Sequence, residues 1–143
     1  TELGEGILRC GNMTMVSMLS GTPYFLENES WEDTLLFIED VGEAPYKLDR
    51  MLQQFRLSGL WSRIKGLVIG TFTDCEGDED ERDYDLGYEA LRYMEENRNP
   101  KLPDPFVCYV PTGHGSPHQT LPLGATISFR YISNTIIVHP YTK

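Results

Sequence analysis

The chain has 143 residues, one domain of ordinary size, and its 40% apolar and 11% aromatic shares are enough for a packed core. Twelve Lys and Arg against 22 Asp and Glu give a net charge of −10, which excludes a general electrostatic grip on nucleic acid. No apolar run approaches the roughly 18 residues of a membrane span, no signal-peptide pattern is read at the start, and eight Tyr with six Phe exclude wholesale disorder.

In chain order, Ile7-Leu8-Arg9-Cys10 is a short apolar run. A helix follows over Met13–Leu19, with Asn12 as N-cap, Met15, Met18 and Leu19 on one face, and Gly21-Thr22-Pro23 as its stop. Thr34–Ile38 is continuous, apolar and partly branched, a strand buried on both faces that ends in Glu39-Asp40. Leu48, Met51, Leu52 and Phe55 recur at helical spacing between Tyr46 and Leu57, after Pro45 and before Ser58-Gly59. Gly66–Phe72 is a second buried strand. A helix spans about Asp85 to Asn97, and Phe106–Val110 is a third strand that ends at Pro111-Thr112-Gly113-His114-Gly115. The tail from Thr126 to Val138 reads as two strands around Ser133-Asn134, a hairpin signal. Strands alternating with helices, then antiparallel strands, predict an α/β domain with a mixed sheet; there is no repeat or low-complexity linker.

The acidity is local. From Asp74 to Asp85 eight acids face one base, Arg82, a net −7 of the chain's −10. Asp74, Glu76, Asp78 and Asp80 alternate as an EF-hand loop begins, but Glu79 stands where that loop needs Gly and Asp85 where it needs Glu. The segment reads as a solvated loop whose last acids favour the start of the next helix. No metal site and no cofactor are expected. The three cysteines, Cys10, Cys75 and Cys108, are odd in number and widely spaced. They read as free thiols in a reducing, cytoplasmic compartment, serving packing rather than chemistry.

Ligands of open α/β sheets bind beyond the carboxyl ends of the strands. Two such ends carry chemistry-bearing residues: Glu39-Asp40, and His114 between two glycines. A glutamate on one imidazole nitrogen fixes the tautomer and leaves the other nitrogen to take a proton from a nucleophile. The competing readings are structural: an acid at a strand end also caps neighbouring helices, and a histidine among Gly and Pro also occurs in plain surface turns. His118 suggests a two-histidine metal pair, but Gly115 and Pro117 forbid a helix holding both on one face. His139, before Pro140, reads as structural or exposed. No Gly-x-Ser-x-Gly elbow occurs; Ser17, Ser20, Ser58 and Ser116 lie on helix faces, helix ends or loops, and Cys108 sits inside an apolar strand. Glu39 and His114 read as two thirds of a triad.

Gly11-Asn12, Gly21-Thr22-Pro23-Tyr24, Phe37-Ile38-Glu39-Asp40-Val41-x-Glu43, Tyr46-x-x-Asp49-Arg50-Met51-Leu52, Gly113-His114 and Leu121-Pro122-Leu123-Gly124 stand in an order that resembles the LD-carboxypeptidases. These are serine peptidases that trim the terminal D-amino acid from muropeptide tetrapeptides, and they include the microcin C immunity peptidases. The resemblance runs from about Gly6 to Gly124. It implies a C-terminal domain similar to the swivelling β/β/α folds, with Glu39 and His114 as its catalytic pair. The nucleophilic serine then belongs to an N-terminal domain absent from this chain, and the isolated chain is expected to be inert. The family implies a homodimer of the full-length protein and a peptide or muropeptide substrate. Arg50 is a candidate for binding a substrate carboxylate, against a salt bridge to Asp40, Glu43 or Asp49. Two features depart from the family: Cys10 stands where a glycine is usual, and the loop from Asp74 to Asp85 is unusually acidic. The alternative is a stand-alone binding or interaction module that kept the fold without catalysis. The absent serine and oxyanion loop favour it; the intact Glu39 and His114 oppose it, as does a chain that starts at Thr1 without methionine, like a piece of something longer.

Overall fold

Thr34 to Asp40 and Gly66 to Ile69 are buried residue after residue, as strands covered on both faces must be. They form the middle of a six-stranded mixed sheet. The computed structural model describes residues 2–25, 31–78, 84–101, 104, 106–132 and 135–140. Its elements are β1 (Glu2–Asn12), α1 (Met13–Leu19), β2 (Thr34–Val41), α2 (Pro45–Leu57), β3 (Gly66–Thr73), α3 (Leu86–Glu96), β4 (Phe106–Gly113), β5 (Thr126–Ile132) and β6 (Thr135–Pro140). The strand order is β4-β3-β2-β1-β5-β6, with β1 to β4 parallel and β5 and β6 antiparallel to their neighbours.

The sheet separates two cores. On one face Leu36, Ile38, Leu67 and Ile69 meet Met13 and Val16 of α1, Leu48, Leu52 and Phe55 of α2, and Ala90, Tyr93 and Met94 of α3. On the other face Leu35, Phe37, Val68 and Val110 of β2, β3 and β4 cluster with Leu8 of β1 and Ile127 and Phe129 of β5. The α/β mixed-sheet expectation therefore holds.

Several boundaries differ from the sequence reading. β1 runs for 11 residues rather than the four of its apolar run, because β2 pairs with one edge and β5 with the other. β2 continues through Glu39, Asp40 and Val41, and β4 continues through Pro111 to Gly113. Proline is tolerated there because β4 is an edge strand, where one outward N–H is dispensable. In α1 the inward residues are Met13 and Val16, while Met15, Met18 and Leu19, expected on one face, lie on the exposed one. Asn12 caps α1 as expected, its side chain accepting from the Met15 N–H. The expected hairpin turn at Ser133-Asn134 and the acidic residues 79–83 lie outside the described residues.

Candidate active site

The carboxyl ends of the parallel strands come together along one rim, and adjacent residues of a strand point to opposite faces. The neighbours Glu39 and Asp40 therefore serve different partners. Asp40, only 2% exposed, points to the helical side. Its Oδ1 accepts from Asn12 Nδ2 at 2.7 Å and from its neighbour's Val41 N–H at 2.9 Å; its Oδ2 accepts from the Thr14 N–H and hydroxyl, both at 2.9 Å. This carboxylate ties the end of β2 to the start of α1, where the helix dipole also favours it. Of the two readings of a strand-end acid, Asp40 takes the structural one.

Glu39 points to the other face. Its Oε2 lies 2.6 Å from His114 Nδ1, a charge-assisted contact between groups 75 residues apart in sequence. The Glu39 side chain is 11% exposed and that of His114 53%, so a sheltered carboxylate holds an imidazole that faces solvent. An ionised carboxylate only accepts, so Nδ1 carries the proton and Nε2 offers its lone pair outward. Such a pair can take a proton from a hydroxyl and stabilise the resulting imidazolium.

The approach depends on glycine. Gly113 has φ +139°, and a Cβ there would lie 3.1 Å from Glu39 Cβ and Oε2 and 3.0 Å from the Thr71 carbonyl oxygen. A Cβ on Gly115 would meet Thr71 Cγ2 at 2.8 Å. Only a backbone without side chains on both sides of His114 comes this close to β2 and β3. Beyond it the chain folds back on β4. The Gln119 N–H donates to the Pro111 carbonyl at 3.1 Å, and the Thr112 hydroxyl donates to the Gln119 carbonyl at 2.8 Å. The Ser116–Pro117 peptide bond in this turn is cis.

His118 is not beside His114 as a second ligand; its Nδ1 lies 3.0 Å from the Gly113 carbonyl oxygen. Among the described residues no group of three His, Cys, Asp or Glu side chains converges. Nor does any described serine hydrogen-bond to His114: Ser17 and Ser58 donate instead to carbonyls of their own helices. Cys10, opposite Phe37 in the β1–β2 register, is exposed, and its thiol is pushed up by partial burial and then by the charge of Glu39. Cys75 and Cys108 are buried, and burial pushes the Cys108 thiol up to about 12. Arg50 makes none of the three salt bridges weighed for it. Its guanidinium stacks 5.0 Å from the Tyr46 ring centroid and borders a 380 Å³ hollow with Lys47, while Glu43 pairs with Lys47 at 3.0 Å. A larger cavity of 790 Å³, lined by Leu48, Phe72, Leu86 and Tyr109 among others, lies on the helical side, away from the Glu39 face.

Residues 5–129 match the family described as the LD-carboxypeptidase C-terminal domain. A putative carboxypeptidase of Synechocystis sp. is 34% identical over 126 residues, covering 86% of this chain and 38% of that protein. The murein tetrapeptide carboxypeptidase of Pseudomonas aeruginosa is 30% identical over 122 residues, covering 85% of this chain and 37% of that protein. Among solved structures, the muramoyltetrapeptide carboxypeptidase from Oxalobacter formigenes superposes with a TM-score of 0.70 at 32% identity, over 93% of this chain and 44% of that one. The microcin C7 self-immunity protein MccF shares the fold, with a TM-score of 0.72 at 18% identity over 96% of this chain and 38% of that one. The chain thus spans 37–38% of the length of the two curated relatives.

Proposed function

The chain belongs to the LD-carboxypeptidase family as its C-terminal domain, and from that premise we propose that it supplies the Glu and His of a serine carboxypeptidase. The substrate is a muropeptide tetrapeptide, from which the terminal D-amino acid is released. The nucleophilic serine belongs to an N-terminal domain outside these 143 residues. The observation that carries the reading is the 2.6 Å contact between His114 Nδ1 and Glu39 Oε2, on the strand-end rim where α/β sheets bind ligands. The activities named for relatives at 30–32% identity, murein tetrapeptide and muramoyltetrapeptide carboxypeptidase, support the substrate class. Their greater length supports a second domain.

The serine hydroxyl attacks the carbonyl carbon of the terminal peptide bond and gives its proton to His114 Nε2. Glu39 holds the ring by Nδ1–H and offsets the imidazolium charge. As the tetrahedral intermediate collapses, Nε2–H protonates the leaving amine, and the D-amino acid departs. Water then hydrolyses the acyl-enzyme, with His114 again as base and then as the acid that returns the proton to the serine. Arg50, exposed and stacked on Tyr46, is the second candidate, for a substrate carboxylate.

D-alanine release from muropeptide tetrapeptide by the full-length protein tests this. His114→Ala and Glu39→Gln should each lower kcat steeply, His114→Ala by about 10⁴-fold or more. The 143-residue chain alone should release none. Release by the isolated chain that disappears with His114→Ala would refute the division of the triad; full activity of full-length His114→Ala would refute the role of the pair.

A further inference from the structure

The proposed mechanism uses His114 and leaves His118, four residues on, without a task. The His114 side chain is 53% exposed and sits between Gly113 and Gly115, the residues with the least intrinsic backbone restraint. The anchoring of the loop therefore contributes to orienting the imidazole toward Glu39.

Three hydrogen bonds do this. Two join the returning segment to β4 through Gln119, at the Pro111 carbonyl and the Thr112 hydroxyl. The third is His118 Nδ1 to the Gly113 carbonyl oxygen at 3.0 Å. The same nitrogen lies 3.4 Å from the Gly113 N–H; protonated, Nδ1 donates to the carbonyl, and unprotonated it accepts from that N–H, so in either tautomer His118 is tied to the Gly113 backbone. We propose that His118 is a positioning residue: its Nδ1 holds the Gly113 backbone and so keeps the next residue, His114, within hydrogen-bond reach of Glu39. Gly113 is the right lever because its backbone runs so close to Glu39 that a Cβ there would lie 3.1 Å from the Glu39 Cβ and Oε2. A rotation there swings the following peptide, and with it the imidazole, away from the carboxylate. The ring of His118 is itself exposed, so the brace buries no polar group. Its consequence for turnover rests on the carboxypeptidase reading; its effect on the Glu39–His114 contact does not.

Imidazole NMR of the histidine-labelled 143-residue chain tests the positioning directly. A carboxylate-bound Nδ1–H gives a downfield, slowly exchanging proton that Glu39→Gln shifts upfield. His118→Ala should broaden or abolish that signal while urea unfolding shows the domain still folded. His118→Asn, whose carboxamide N–H reaches the same carbonyl, should restore it. In the full-length enzyme His118→Ala should lower kcat about 10- to 100-fold, the scale of a displacement near 1 Å, with KM little changed. An unchanged His114 signal in His118→Ala overturns the proposal, as does equal loss in His118→Asn. A signal lost in His118→Ala, in a full-length protein without peptidase activity, upholds the positioning role and removes the carboxypeptidase reading instead.

Discussion

Asp40→Asn is the sharpest perturbation of this fold, because it changes one atom and orphans a donor. In the native protein four donors converge on the carboxylate: Asn12 Nδ2 and the Val41 N–H on Oδ1, the Thr14 N–H and hydroxyl on Oδ2. A carboxamide must put its NH₂ at one of the two oxygen positions. At Oδ1 it would face two donors with no alternative, since the Asn12 amide oxygen is already engaged by the Met15 N–H. At Oδ2 the Thr14 hydroxyl can turn and accept, leaving only the Thr14 N–H without a partner. That second arrangement is cheaper. It still costs about 2 kcal/mol for the unsatisfied N–H, and about 1 kcal/mol for demoting the surviving bonds from charged to neutral, roughly 3 kcal/mol in all. For a domain of this size that is a fall in Tm of about 10 °C. Urea unfolding followed by circular dichroism, with the m-value held constant, measures it. The adjacent Glu39→Gln should cost about 1 kcal/mol or less, because the Gln carbonyl can still accept from His114 Nδ1. If Asp40→Asn lost less than about 0.5 kcal/mol, a change within the range of ordinary surface substitutions, the four-bond clasp would not exist in solution.

Other substitutions follow from the same coordinates. Gly113→Ala forces a Cβ to within 3.1 Å of Glu39 Oε2 at φ +139°. It should destabilise by about 1–3 kcal/mol and abolish the downfield His114 proton, measured on one sample by urea unfolding and NMR. Phe55→Ala removes a fully buried ring set edge-on against Trp61 and should cost about 3–5 kcal/mol, read by the same unfolding assay, without disturbing the His114 signal. With Ellman's reagent the native chain should show one reacting thiol, Cys10, and three only after denaturation. Because the negative charge of Glu39 disfavours the Cys10 thiolate, Glu39→Gln should speed that reaction at fixed pH; a slower reaction would mean the two groups are not neighbours.

The sequence showed its regular elements where local chemistry and tertiary packing agree. The apolar runs at Leu35–Ile38 and Leu67–Ile69 are sheet interior because nothing else can cover both their faces. Glu39 and His114 could be paired as site residues from their strand-end positions, and the structure brings them together. Other features were settled by partners distant in sequence. β1 extends back to Glu2 only because β5 pairs with it, and β2 runs on through two carboxylates because each finds its own donors. Met15, Met18 and Leu19 could be placed on one face of α1, but a helix of seven residues, rich in Met and Leu, carries too few turns for its sequence to say which face packs inward. His118 was weighed only as a metal ligand. Its contact is to a backbone carbonyl, and no side-chain pattern records such a partner.

The sheet that separates the two cores also separates two kinds of tolerance to change. The helical side contributes the larger core, through Phe55, Leu52, Met94 and the residues around them. The opposite rim determines whether His114 meets Glu39. Repacking the first to raise thermal endurance should spare the backbone of the second as long as Asp40, among the described residues the buried carboxylate facing the helices, keeps its four donors. An engineer seeking a hardier version of this domain can therefore vary the helical interior widely while holding fixed a single side chain at the seam.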